Sequence, residues 1–376
     1  MELERRGTVL AGVAVQPAAT TLQAGVPVAP RPAARHAGLT RLRLLLIGWV
    51  ILYHLDLTLR VSLDLPWLAP VLGAGYLGVD GFFLLSGFAL WLGYAGRPPV
   101  GLAGIWHFLL RRLAKLWPLH ALALVALVGV VGLALAGGIR IRDAQRFGLD
   151  DMLLQFAMVN AWETTTRHAW NYPSWALSAE WAGYLAFPVL IQAALRLPRG
   201  AVALVPALAL GGLWWLAELE ELVGLNYTLH LGLVRFGLEF CAGLALGRLA
   251  TEDRLHPRWV MAATLALPAG LLLDAPALAT AGLAAAMLTI WQRGRMAPPP
   301  ARPDLLLRLG EASFGVYLCW IFIEAAMVGV LRVTAPGLGG RALLMAAGFL
   351  ASLVAGWLAW RFVEVPAHRW VLRRLG

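Results

Sequence analysis

Lysine is almost missing from this chain. Lys115 is its one copy, and arginine supplies the rest of its 31 basic residues. Charge of either sign is scarce: 14% of residues are charged, 60% are hydrophobic, and the mean hydropathy is +0.71. A water-soluble chain carries nearer ~25% charge, so this composition excludes an ordinary soluble globular protein of 376 residues. Cysteine is limited to Cys241 and Cys319, each inside an apolar run, which excludes a disulfide framework and any cysteine-type metal spacing. No metal is expected. The N-terminal stretch MELERRGTVL has no basic segment leading into an apolar one, so no cleaved signal peptide is read there. Residues 1–38 are expected to be a disordered cytoplasmic tail, 39–372 the functional domain, and 373–376 a short basic cytoplasmic end.

Familiar soluble-enzyme signatures are missing too. No histidine is followed five positions later by aspartate, and there is no G-x-S-x-G elbow, Walker loop or H-E-x-x-H. No internal repeat stands out, which removes the main support for an inverted-repeat transporter. The net charge of +10 does not indicate nucleic acid, because the arginines sit in short groups between apolar runs and not along one polar face.

What is present is a succession of apolar runs of about twenty residues, the length that crosses a hydrocarbon core. They cover 42–59, 76–95, 117–137, 174–195, 201–217, 228–248, 258–274, 276–292, 312–332 and 342–363. This predicts an all-α polytopic bundle with about ten spanning helices. Basic groups fall in alternate loops: Arg41/Arg43, Arg97 to Lys115, Arg196/Arg199, Arg248 to Arg258, Arg293 to Arg308 and Arg369 to Arg374. The positive-inside rule then places both termini in the cytoplasm. The long loop 138–173 goes outside, and its stretch DMLLQFAMVNAW is expected to touch the membrane surface or form a short re-entrant helix.

Ionisable groups inside apolar segments are costly and mark function. In RLRLLLIGWVILYHLDL, His54 lies eleven positions after Arg43, or roughly 16 Å further along a helix. GYLGVDGFFLLSGFAL carries Asp80 and, about 9 Å deeper, Ser86. NYPSWALSAEW places Asn171 at a helix mouth with Ser178 and Glu180 below it, and LVRFGLEFCAGLALG spaces Arg235 and Glu239 to pair on one face. A neutral histidine beside carboxylates suits general-base work. On the inner side, HFLLRRLAKLWPLH sets Arg111, Arg112 and Lys115 just ahead of the third helix, with Pro118 in its first turn. These cations are a stop-transfer anchor or a phosphate-binding patch. The residues alone leave two readings open: an enzyme using His54, or an exporter of a glycan precursor or small solute with a His/carboxylate proton relay.

Taken together, the motifs resemble the acyltransferase-3 family of integral membrane O-acyltransferases. The resemblance rests on Arg43 and His54 in the first helix, VDGFFLLSGF, RRLAKLWP, NYPSWALSAEW, RFGLEFCAG, SFGVYLCWIF with Tyr317, and FVEVPAHRW with Glu364, in order along the chain. Thr40 stands where the family often has aspartate, Trp181 follows Glu180 where a second acid is usual, and Trp320 replaces a histidine. The resemblance implies transfer of an acyl group, often acetyl, from acyl-CoA to a hydroxyl of a carbohydrate or cell-surface acceptor. It implies a place in the bacterial cytoplasmic membrane, no tightly bound cofactor, and completion by this bundle or with a separate envelope-assembly partner. His54 would be general base or transient acyl carrier, and Asp80 and Glu180 would orient it or shape the acceptor pocket. Arg43, Arg111, Arg112 and Lys115 would hold the donor. Ser86, Asn171, Ser178, Arg235, Glu239, Tyr317 and Glu364 would line or brace the site.

Overall fold

The computed structural model describes residues 36–138, 140–141, 143–219, 224–297, 302 and 304–375. Among these the regular structure is entirely helical. The expected tail lies outside the described residues except for 36–38, and of those Ala37 and Gly38 already open the first helix, α1 (Ala37–Leu59). A run of short turns from Val61 leads into α2 (Leu77–Tyr94), and α3 spans Gly101–Ala136. After the outer loop with its short α4 (Leu149–Phe156) come α5 (Trp175–Arg196), α6 (Arg199–Glu218) and α7 (Gly232–Thr251). The chain continues through α8 (Pro257–Ala263), α9 (Ala266–Leu272), α10 (Pro276–Met296), α11 (Leu305–Glu311), α12 (Ser313–Thr334) and α13 (Leu338–Ala359). A π-helical turn, Trp360–Glu364, joins α13 to α14 (Val365–Leu375).

Six helical stretches of the described residues are long and apolar enough to cross a membrane: Ala37–Leu59, Pro66–Tyr94, Gly101–Ala136, Arg199–Glu218, Ser313–Thr334 and Leu338–Arg374. Helices α5, α7 and α10 reach 22, 20 and 21 residues but carry more polar side chains. The chain is a membrane protein.

Two expectations need correction. The basic segment does not precede the third helix; it is part of it, and Pro118 lies in the helix interior. At about 1.5 Å per residue, a helix of 36 residues is about 54 Å long and overruns a ~30 Å core. The excess is the Gly101–Lys115 end, where Arg111 and Lys115 interrupt the apolar run. The expected single helix 258–274 is broken near Thr264, whose hydroxyl turns back onto the Met261 carbonyl, giving α8 and α9. The tight turn before Pro276 is present, with Asp274 in the left-handed region at φ 49°.

The closest packing in the core joins α2 to α7. A Cβ on Gly87 would strike the Phe240 carbonyl, and one on Gly243 would strike the Leu84 carbonyl. Two glycines on facing helices thus let the backbones touch, the usual device for helix association without a hydrophobic drive. This contact sets the register that brings the outer half of α7 against the start of α2.

Candidate active site

Two chambers lie one above the other in the core, termed inner for the one lined by Arg43 and Lys115 and outer for the one beside the loop that carries α4. The inner one, of about 180 Å³, is lined by Arg43 of α1, Ser86 of α2, Arg112 and Lys115 of α3, Glu180 and Tyr184 of α5, and Tyr317 of α12. The outer one, of about 270 Å³, is lined by Tyr53 and His54 of α1, Tyr76 of the turn before α2, His168 and Tyr172 of the loop before α5, Asn226, Thr228, Arg235 and again Tyr317. Val79 and Tyr317 line both.

In the inner chamber Arg112 is held by three aromatic rings. Its guanidinium carbon lies 5.2 Å from the Tyr94 centroid and 5.4 Å from those of Phe108 and Tyr184, and it donates to the Tyr94 hydroxyl at 3.0 Å. This is a cation–π cage that fixes a charge without neutralising it. Ser86 donates to Glu180 at 3.1 Å, and Tyr184 donates to the same carboxylate oxygen. Arg43 and Lys115 make no ion pair or side-chain hydrogen bond among the described residues, although Glu364 lies near both. Arg111 points away. It is exposed and lines a separate cavity of about 270 Å³ with Arg97 and His107, on the far side of Tyr94 and Phe108. Adjacent helix positions diverge by about 100°, so Arg111 and Arg112 cannot share one face.

In the outer chamber the His54 imidazole stacks on Trp320, with centroids 4.3 Å apart and planes at 24°. The Tyr172 hydroxyl lies 3.4 Å from His54 Nδ1 and donates to Glu324 at 3.4 Å, and Thr58 donates to the other Glu324 oxygen at 2.9 Å. A hydroxyl has one proton. With that proton on Glu324, the Tyr172 oxygen accepts from Nδ1–H, which assigns the free lone pair of His54 to Nε2. The outer loop roofs this chamber: Arg146 donates to the His168 carbonyl at 2.7 Å and stands over the Tyr172 ring. Burial, with the Arg146 charge, holds the His168 imidazole below its ordinary pKa. Gln155 of α4 and His120 of α3 seat the loop, with His120 bonded to the Gln155 carbonyl at 2.7 Å.

The fully buried Arg235 does not pair with Glu239 as the spacing suggests. It grips Asp80 with two nitrogens, Nε at 3.1 Å, and donates a third bond to the Tyr227 carbonyl at 3.1 Å. The α2–α7 glycine contact makes the cross-helix partner nearer than the one a turn away. Glu239 has no hydrogen bond of ordinary geometry and instead lines an apolar cavity with Thr280 on the flank of the bundle. Asp80 is thus an anchor for Arg235, and Glu180 faces the inner chamber while His54 faces the outer. Asn171 donates to the Leu318 carbonyl at 3.2 Å, and Ser178 accepts from the Ala161 amide at 3.0 Å, so both tie the outer loop to the bundle.

Tyr172 and Glu324 were not singled out by sequence reasoning. The signal for Glu324 is an acid within the apolar run 312–332; that for Tyr172, in the turn before α5, is its place inside NYPSWALSAEW.

The acyltransferase-3 family, described as an acyltransferase domain, matches residues 36–361. Acyltransferase MdmB of Streptomyces mycarofaciens is 30% identical over 342 residues, covering 80% of this chain and 82% of that protein. No solved structure matches the chain.

Proposed function

From the premise that the chain belongs to the acyltransferase-3 family and is a membrane acyltransferase, we propose that it is an O-acyltransferase taking an acyl group, acetyl in the first instance, from acyl-CoA. The acceptor is a hydroxyl of a carbohydrate or cell-surface molecule. The observation that carries this reading is the stacking of a cationic chamber beneath a histidine chamber, with Val79 and Tyr317 common to both.

Arg43, Arg112 and Lys115 offer positive charge at the end nearer the basic loops, where an anionic thioester donor arrives from the cytoplasm. Arg97 and Arg111, exposed around their own cavity next to Tyr94, suit the outlying phosphates of the same donor. On the other side the outer chamber presents Tyr53, Tyr76, Asn226 and Thr228 beside aromatic rings, the mixture of hydrogen-bonding and apolar surface that a polyhydroxylated acceptor requires. His54 Nε2 takes the acceptor proton as general base; Asp80 and Arg235 brace the wall. In this reading both termini are cytoplasmic, the helices α5, α7 and α10 also span, giving about ten crossings, and the membrane is the bacterial cytoplasmic one. Envelope-assembly proteins would bring the acceptor.

A positioned general base contributes about 10²–10⁴-fold. Purified protein given radiolabelled acetyl-CoA and a surface-glycan extract should transfer label, and His54→Ala should lower the rate by about that factor with an unchanged elution profile. Normal transfer by His54→Ala would rule out this role.

A further inference from the structure

Val79 and Tyr317 are the residues that line both chambers, and Tyr317 is tethered. Tyr317 donates its hydroxyl to the Pro173 carbonyl at 2.7 Å, so its phenol is occupied and its ring is fixed as a wall. Val79 is buried in the first turn of α2, next to Asp80, which Arg235 grips from α7. The glycine contact packs α2 against α7 backbone to backbone. Between the charged level of the inner chamber and this partition the lining turns apolar: Phe82, Phe83, Leu177 and Phe314. On α2, Ser86 lies seven positions beyond Val79, or about 10 Å along the axis. A short hydrocarbon chain fits such a collar; a phosphate or a sugar does not.

We propose that Val79 and Tyr317 form the neck in which the acyl carbon meets the acceptor oxygen, and that the side chain at position 79 sets the longest acyl group accepted. This rests on the reading that the inner chamber takes acyl-CoA. In the transfer the acceptor oxygen bonds to the acyl carbon as the carbon–sulfur bond breaks. The hydroxyl proton passes to His54 and on to the departing thiolate, so an ester and a free thiol leave. Only the acyl carbon has to enter the neck; the nucleotide part of the donor stays below it. The aperture is then a matter of side-chain volume, because Tyr317 is tethered and Val79 sits on a helix packed against α7.

The test uses full-length protein in nanodiscs and competition against radiolabelled acetyl-CoA by CoA, acetyl-, butyryl-, hexanoyl- and octanoyl-CoA. In the wild type, affinity is expected to fall by about tenfold or more between acetyl and hexanoyl, roughly the worth of one to two methylenes denied burial. Val79→Ala should move that fall to longer chains by about one or two methylenes. Val79→Phe should weaken acetyl-CoA at least about tenfold while leaving CoA itself within about twofold. If Val79→Phe does not fold, Val79→Ala and Val79→Ile carry the comparison. An unchanged chain-length order in Val79→Ala with intact CoA binding overturns the neck, as does a wild type indifferent to chain length. If neither CoA nor any thioester competes in the wild type, the reading of the inner chamber itself fails.

Discussion

As the proposed general base, His54 depends on the residues behind it. Trp320 covers one face of the ring and Tyr172 occupies Nδ1, leaving Nε2 as the atom turned to a substrate. Glu324 fixes the direction of the Tyr172 hydroxyl, and Thr58 fixes Glu324. Tyr172→Phe removes the acceptor for Nδ1–H and strands the Glu324 oxygen. An unmade buried hydrogen bond costs about 1–3 kcal/mol, so transfer should fall about 5- to 160-fold, read in kcat more than in KM. Glu324→Gln keeps an acceptor for the hydroxyl and should fall less than Tyr172→Phe. Equal losses in the two variants, or a loss confined to KM, would show that this chain of hydrogen bonds does not position the base. None of it was legible in sequence. Tyr172 and Glu324 lie 152 positions apart, and each is ordinary in its own neighbourhood. His54 was legible, because an ionisable side chain deep in an apolar run needs a reason.

At the scale of elements, the site is built on the contact between α2 and α7. Their glycines allow backbone-to-backbone packing, and Arg235 closes the outer end by gripping Asp80. Breaking such a buried pair from one side leaves a charge without its partner, at about 3–5 kcal/mol. Asp80→Asn should therefore lower the thermal midpoint of the purified protein markedly, whereas Glu239→Gln, a change on α7 that removes no hydrogen bond of ordinary geometry among the described residues, should not. Similar midpoints for the two would mean that Asp80 is no anchor. The sequence suggested the other pairing, Arg235 with Glu239, because spacing reports on one helix and says nothing of a helix that packs across it. Helix α3 shows the same limit. Its apolar part was read correctly, but the basic stretch leading into it was assigned to a loop, since hydropathy cannot distinguish a loop from a helix that continues beyond the hydrocarbon. The sequence allows a short helix in the loop that roofs the outer chamber, and α4 is one; what it does not show is the tie to the bundle, where His120 meets the Gln155 carbonyl and Ser178 accepts from the Ala161 amide.

At the scale of the whole molecule, the two chambers make sense only if they open to opposite faces of the membrane. The charges favour this: Arg43, Arg112 and Lys115 line the inner chamber, Arg97 and Arg111 line the neighbouring cavity beyond Tyr94, and the roof of the outer chamber is the loop that also carries acidic Asp150, Asp151 and Glu163. Arginine-rich loops stay in the cytoplasm, and long mixed loops cross regardless of charge. Two exposed sites report on the arrangement. Gly96 has open space where a side chain would go, beside the inner mouth, and Thr164 is exposed on the outer loop. In a background with Cys241 and Cys319 changed to alanine, a membrane-impermeant maleimide on intact spheroplasts should label Thr164→Cys. Gly96→Cys should react only after the membrane is opened. If both react from one side, donor and acceptor share an entrance, and His54 cannot stand between compartments. If the pattern holds, the enzyme needs no large motion to join a cytoplasmic donor to an outer acceptor. In that case the proposed donor would reach from its own chamber to the level of Val79 and Tyr317, the residues common to both chambers.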